Sequence, residues 1–297
     1  MVIKNRSKIC LIISGLIILA ALVLTLCGRG INLGIDFEGG LAMQYDMKTA
    51  VNADDVTAAL ENLGITKSTV TVQGANNNEV TIRVKDVSKD DIQKVQADFE
   101  AGIKEKYAEA VSIGDVNYVG PVAGATLVKN AIISVLLAAA LMLVYIAIRF
   151  DLNSGISAVF GLLHDVLIML SFMVIFRSVI QMNSSFIAAA LTIVGYSINN
   201  TIVIFDRIRE NAKKMPNVAR EEVTNISIKE SLGRTICTTV TTLITIVALC
   251  ILGVASIREF ALPIIVGILS GVYSANMING YVWAFLEEKR RSRKAKA

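Results

Sequence analysis

The sequence predicts an α-helical polytopic membrane protein, with six transmembrane helices and an extracytoplasmic α+β, ferredoxin-like domain between the first and the second. Three observations carry this. The 297 residues are 54% apolar and only 18% charged, with a mean hydropathy of +0.60, where a soluble chain runs about 45–50% apolar and about 25% charged. The apolar residues are gathered into runs long enough to cross a hydrocarbon core of roughly 30 Å. Residues 31–120, in contrast, are polar and carry strand and helix periodicities of their own. This composition excludes a plain water-soluble enzyme, a disordered tail and a disulfide-built secreted domain. Cys10, Cys27, Cys237 and Cys250 lie in or beside apolar runs with no CxxC pair, so they read as small membrane-core residues rather than a bridge or a metal site.

The first span is expected over 9–27, nineteen uncharged residues after the basic opening MVIKNRSK. A signal peptide would have an apolar region of about 7–15 residues, so the run reads as an uncleaved anchor. The next apolar run waits until residue 127, and the remaining spans are placed at 127–148, 155–176, 184–205, 234–254 and 260–285. Lys and Arg set the orientation. Lys4, Arg6 and Lys8, the six basic residues Arg207, Arg209, Lys213, Lys214, Arg220 and Lys229, and six more in the tail EEKRRSRKAKA all fall on one side of a six-span chain. The opposite short loops hold only Arg177 and Arg258. The basic side is the cytoplasm, which puts both termini inside and residues 31–120 outside. The expected organisation is therefore 1–30 for the N-terminus and first span, 31–120 for the outer domain, 121–286 for spans two to six with a cytoplasmic loop near 206–233, and 287–297 for the tail. The tail reads as a topology anchor near anionic lipid; a net charge of +4 is no argument for nucleic acid.

Residues 31–120 hold fifteen acids against eight bases. A strand is expected near 40–47. Asn52 caps a helix that opens on Asp54 and Asp55 and stops at Gly64. Two alternating strands, 68–74 and 79–84, flank the turn ANNN. Ser88 starts a second helix, with Ile92, Val95, Phe99 and Ile103 at helical spacing, and a last strand is expected over 109–116. The order β-α-β-β-α-β is a split, ferredoxin-like unit. It holds no cysteine, histidine cluster or nucleophile arrangement, so docking is its expected job.

Polar groups at membrane depth are the candidate functional residues, because an acid or amide in lipid needs a partner or a pathway. In the third span Ser157, Gly161, His164, Asp165 and Ser171 share one helical face. In the fourth, Thr192, Tyr196, Asn199 and Asn200 form a polar stripe that Asp206 continues. In the fifth, Arg234, Thr238, Thr241 and Thr245 share a face, and Arg234 is placed either to snorkel to the surface or to pair with Asp165 or Asp206. GILSG at 267–271 is a small-x-x-x-small contact. The segment VAREEVTNISIKESL, after Pro216, reads as an amphipathic helix on the cytoplasmic surface.

Three stretches carry a family resemblance: NLGIDFEGG at 32–40, HDV at 164–166, and GYSINNTIVIFDRIREN at 195–211 followed by LGRTICTTVTTL at 232–243. The chain resembles the SecF family of protein-export membrane subunits, six-span halves of the twelve-span arrangement of the resistance-nodulation-division superfamily. Asn32, Gly34, Asp36, Gly39 and Gly40 match the family signature. The resemblance implies an accessory subunit that pairs with a six-span SecD, sits beside the SecYEG channel and uses the ion-motive force to draw unfolded polypeptide outward across the bacterial inner membrane. It implies no cofactor. Its ion path includes an arginine, matched by Arg234, and an aspartate in the pattern GYSIND. That position is Asn200 here, an amide that cannot exchange a proton near neutral pH. The ion step then rests on Asp165 with a SecD carboxylate, or uses another cation that the amide oxygen can ligate, with His164 and Asp206 as further coupling candidates. The rival readings are a half-size permease for lipids or small molecules and a structural membrane scaffold. An enzyme is least favoured, since a His-Asp pair without a nucleophile or metal ligand set is not a site.

Overall fold

The computed structural model describes residues 3–74, 76–85, 87–113, 116–178, 180–253 and 255–294. The expected end of the fifth span at Val254, residues 114 and 115 of the strand expected over 109–116 and the last three tail residues lie outside them. The chain forms two compact units: Asn32–Ile133 with Ser178–Ser184, and Met1–Ile31 with Ser134–Arg177 and Ser185–Ala297.

After the opening helix α1 (Ile3–Leu26) the chain enters the α+β unit. Its elements are α2 (Ile35–Glu38), β1 (Gly40–Asp46), α3 (Ala53–Asn62), β2 (Ser68–Gln73), β3 (Glu79–Val84), α4 (Ile92–Lys106), β4 (Val111–Ser112) and β5 (Asn117–Val119). The sheet runs β2-β3-β1-β4, with β5 also on β1, and every pair is antiparallel. This is the ferredoxin-like order that the sequence predicts. The local reasons hold as well. Asn52 accepts from the Asp54 amide at 3.3 Å, and Gly64, at φ +79°, ends the turn after α3. Ser88 binds the Asp91 carboxylate instead of a backbone amide, so a short 3₁₀ turn, Lys89–Asp91, precedes α4. Alternation puts Leu41, Met43 and Tyr45 of β1 beside Val80, Ile82 and Val84 of β3 on one buried face, closed by Val56 and Leu60 of α3 and Phe99 and Ile103 of α4. The Tyr45 and Phe99 rings meet at 5.1 Å.

The other helices are α5 (Pro121–Arg149), α6 (Leu152–Ile175), α7 (Ser184–Lys214), α8 (Arg220–Leu252), α9 (Ala255–Ser274) and α10 (Gly280–Lys294), the last two joined by a π turn, Ala275–Asn279. By length and composition, six stretches suit membrane crossing. Half or more of α6, α7 and the final span is buried, but hardly any of α1, α5 and α8. Two expected elements change. The strand expected over 109–116 is, among the described residues, only Val111–Ser112, and a further short strand follows at Asn117–Val119. The amphipathic segment before the fifth span is not a separate surface helix but the first turns of α8. No proline interrupts Arg220–Leu252, and Gly233 alone does not break a helix held by packing. Val223, Thr224, Ser227 and Ile228 are buried on it.

One end of the bundle gathers the links between helices and the tail. Arg149 lies 3.3 Å from Asp206, Asn153 donates to Glu287 at 2.7 Å, and Arg291 reaches the Pro216 carbonyl. These share an end, as an even number of crossings between them requires.

Candidate functional site: a caged carboxylate inside the bundle

Asp151 caps α6, accepting from the hydroxyl of Ser154 at 2.6 Å and from its amide at 3.4 Å. From that start, helical spacing carries Ser157, Gly161, His164, Asp165 and Ser171 onto one face, and all the polar ones are buried. Asp165 is fully buried. Its carboxylate accepts from Ser197 of α7 at 2.5 Å, Ser270 of α9 at 2.7 Å, Ser274 of α9 at 2.8 Å and the Nδ1 of His164 at 2.9 Å. Three hydroxyls and one ring nitrogen thus surround the carboxyl group, as many partners as its oxygens have lone-pair sites. The oxygen separations are those of hydrogen bonds. The other ring nitrogen of His164 lies 2.7 Å from Ser14 of α1. Ser14 sits 3.3 Å from Tyr273, whose hydroxyl donates to the Cys10 carbonyl at 2.6 Å. A chain of polar groups thus ties α6 to α1, α7 and α9.

The small-residue motif lets these helices close. A side chain at Gly271 would come within 3.2 Å of the Ser197 Cα and 3.6 Å of Asp165 Oδ2, and one at Gly267 would overlap Ile193. The partner helix of GILSG is therefore α7 of the same chain. A second polar layer lies beside the π turn. Ser157 donates to the Asn279 carbonyl at 2.5 Å, and the Asn279 amide donates to Thr201 at 2.9 Å. Gly161 leaves room for the Asn279 side chain, which any Cβ there would overlap. The side-chain oxygens of Asn276 and Asn279 are buried without a partner among the described residues. An inserted residue that forms a π turn often marks a functional site.

The structure separates the other candidates. Asn200 is buried one turn from Ser197 and its side chain makes no hydrogen bond among the described residues, while Tyr196 and Asn199 are exposed, so the expected stripe on the fourth span is split between two faces. Arg234 meets neither Asp165 nor Asp206: the serines and His164 hold the first, and half-exposed Arg149 faces the second. The reason is rotation. The buried stripe of α8 is Ser231, Thr235 and Thr239, which leaves Arg234, Thr238, Thr241 and Thr245 on the outward face. Those threonines bond carbonyls of their own helix, not a neighbouring one.

The signature residues serve the α+β unit. The Gly34 amide donates to the Met182 carbonyl, and the Met182 amide to the Asn32 carbonyl, both at 2.8 Å. Asp36 accepts from the Ser184 amide at 2.7 Å. Gly39 and Gly40 have φ of +79° and +128°, a region that disfavours side chains, and a Cβ at Gly40 would strike the Val84 carbonyl.

Ser14, Ser197, Ser270, Tyr273, Asn276 and Asn279 were not among the expected site residues. A signal was present for some of them: Ser14 stands alone among aliphatics, and Ser270 and Ser274 are four apart on one face.

Comparison with known proteins agrees with these features. The family model for the protein export membrane protein SecD/SecF C-terminal region matches residues 99–289, and the one for the SecD/SecF GG motif matches residues 25–51. The chain is 35% identical to the protein translocase subunit SecF of Calditerrivibrio nitroreducens, over 97% of this chain and 94% of that one. It is 36% identical to SecF of Rhodothermus marinus, over 98% and 94%. It is also 35% identical to the translocase subunit SecDF of Bacillus subtilis over 94% of this chain, but it spans only 37% of that longer protein. The crystal structure of SecDF from Thermus thermophilus, described as a translocon-associated membrane protein, superposes with a TM-score of 0.81 at 31% identity, covering 96% of this chain and 38% of that one. With the glycine signature and the caged aspartate both on matched residues, the chain belongs to the SecD/SecF family of protein-export membrane proteins.

Proposed function

We propose that the chain is the smaller half of a two-part export motor in the bacterial inner membrane. It pairs with a SecD-like six-span subunit, and the pair works beside a SecYEG channel, converting an ion gradient into movement of the α+β domain against emerging polypeptide. The likeness to one half of the SecDF chains supports the pairing. The observation that carries the reading is the outward face of α8. Arg234 stands there among threonines with no acid beside it among the described residues. A cation near the membrane end of a span calls for a counter-charge or a wet path, and a partner's helix bearing a carboxylate supplies both. The Asn200 amide does not titrate near neutral pH. The titrating step then falls to the partner's carboxylate or to Asp165, with His164, Ser14 and Tyr273 as the hydrogen-bonded continuation. In this orientation both termini and the basic tail face the cytoplasm and anionic lipid.

The test is export in vesicles that hold SecYEG, its motor and both subunits, under an imposed proton gradient and then a sodium gradient. Arg234→Ala should lower gradient-stimulated export at least tenfold with the heteromer still recovered. Asn200→Asp should make export more pH-dependent. Gradient-stimulated export that is unchanged in Arg234→Ala overturns the reading.

A further inference from the structure

At the end of the bundle that the Lys and Arg bias assigns to the cytoplasm, a pocket of about 250 Å³ opens between the start of α6, the end of α7, the start of α8 and α10. Four basic residues line it, Arg209, Lys213, Arg220 and Arg290, against two acids, Asp151 and Glu287. Both acids are already engaged. Asp151 caps α6 through Ser154. Glu287 takes one bond from Asn153 at 2.7 Å and one from Arg290 at 2.8 Å. That leaves Arg209, Lys213 and Arg220 without a carboxylate among the described residues.

Arg220 is the telling one. Its side chain is only 7% exposed, and its one polar contact is a long 3.4 Å approach to the Ala212 carbonyl. Its Nε has no acceptor among the described residues. A buried guanidinium without a counter-charge is strongly unfavourable. Trp283, in the same lining, is 5% exposed and its indole N–H is likewise unpartnered. Two buried donors therefore share one basic pocket and lack acceptors. Apart from Ser154, which is bonded to Asp151, the rest of the wall is apolar, with Phe205, Ile208 and the Trp283 ring.

We infer that this pocket binds a phosphate group, with Arg220 as its central ligand, Lys213 and Arg209 as outer cations and the indole N–H as a further donor. A phosphate offers several acceptor oxygens to a guanidinium fork, which is the geometry Arg suits best. Two sources fit this chemistry. A phospholipid headgroup would lay its glycerol against the aromatic wall, and basic pockets among membrane helices on the cytoplasmic side are suited to such headgroups. A soluble phosphate would fill only the basic floor. The site is separate from the Asp165 cage, and it stands whether or not the chain drives export.

Trp283 is the sole tryptophan of the chain, so its fluorescence reports on the pocket directly. The full-length protein in neutral detergent is titrated with phosphatidylglycerol, and separately with inorganic phosphate. A saturable change in Trp283 emission is expected. Saturation with the lipid alone assigns the lipid headgroup, and saturation with phosphate as well assigns a site open to soluble phosphate. Arg220→Gln should weaken binding about tenfold, since it removes charge-assisted hydrogen bonds. Lys213→Gln, at an exposed position that folding does not depend on, should weaken it about threefold. No saturable change with either ligand, or identical curves for wild type and Lys213→Gln, would overturn the inference.

Discussion

The α+β unit and the helical bundle each bury an apolar core, but they differ in what else they bury and in what they expose. In the first, Leu41, Met43, Tyr45, Ile82 and Phe99 are buried together and the charges lie outside. In the second, Asp165, His164 and the serines around them are buried while Ile12, Leu16, Leu136, Leu141, Ile244 and Leu252 are exposed. The difference follows from the solvent each meets. Water expels apolar surface, at roughly 25 cal/mol per Å², so the unit in water gathers its Leu and Phe. Lipid tails are as apolar as Leu and provide no such drive between helices. Association there rests on close packing of small residues and on hydrogen bonds, here Gly267, Gly271 and the donors around Asp165. The lesson is that the same residue has opposite meaning in the two regions. Among the described residues no serine of the first is buried, whereas buried serines are the fasteners of the second.

The sharpest break of this comparison is a cavity in the apolar core. Phe99→Ala should destabilise the α+β unit by about 3–5 kcal/mol. Urea unfolding read from a fluorophore on Lys104→Cys, an exposed α4 position, checks it. A midpoint within error of wild type would mean that the Phe99 contact holds nothing. In the bundle, overpacking should matter more than cavities. Gly161→Val drives a side chain into the Asn279 amide and through it into the bond to Thr201, at a loss of about 1–3 kcal/mol. Unfolding of the purified protein in mixed detergent and dodecyl sulfate micelles, followed by circular dichroism, measures it. Smaller still is the loss of one fastener. Ser270→Ala removes one of four donors to Asp165, and interhelical hydrogen bonds in membranes average about 0.6 kcal/mol, with a maximum near 1.7. A loss well above that range would show the cage to be strongly cooperative.

How much of this was legible in the sequence differs between the regions for the same physical reason. In the α+β unit, alternation and capping are local signals and burial follows hydrophobicity, so the β-α-β-β-α-β order, the Asn52 cap and the core positions Phe99 and Ile103 could be read directly, though not the short α2 and β5. In the bundle, the existence of six spans was legible from run length, and Asp165 stood out as a charge in an apolar run. The rotation of α8 was not. A span that is apolar all round has no hydrophobic stripe to fix which face turns inward, so Arg234 and its threonines could as well have met Asp165 as faced outward. The serines around Asp165 come from three other helices, and no spacing in one helix announces a contact with another. The continuity of α8 was hidden because a polar first half and an apolar second half look like two elements.

The smallest expected effect lies in the pH response of the unit in water. Asp46 accepts from the Lys48 ammonium at 2.6 Å, from the Lys48 amide at 2.9 Å and from Asn78 at 2.8 Å. These bonds favour the ionised form and hold its carboxyl down to about 2, from the usual 3.8. They also keep the β1–α3 turn, where Lys48 takes a left-handed φ of +60°. A carboxyl lowered by folding contributes stability that is fully present above its unfolded value and is lost as pH falls toward the folded one. The contribution of Asp46 should therefore be constant above about pH 4 and fade between about 4 and 2. Tyr45 is the alkaline counterpart. Burial, and next the nearby Glu100, push its hydroxyl well above the ordinary tyrosine range, so its contribution is present below about pH 10 and lost as pH rises further. Between these limits neither group should tilt the stability of the unit. The Lys104→Cys fluorophore and urea unfolding give the curve. Asp46→Asn should flatten the decline between pH 4 and 2, and Tyr45→Phe the decline above pH 10, each without changing the other limb. A decline between pH 4 and 2 that is as steep in Asp46→Asn as in wild type would show that the Lys48 and Asn78 bonds do not survive in solution.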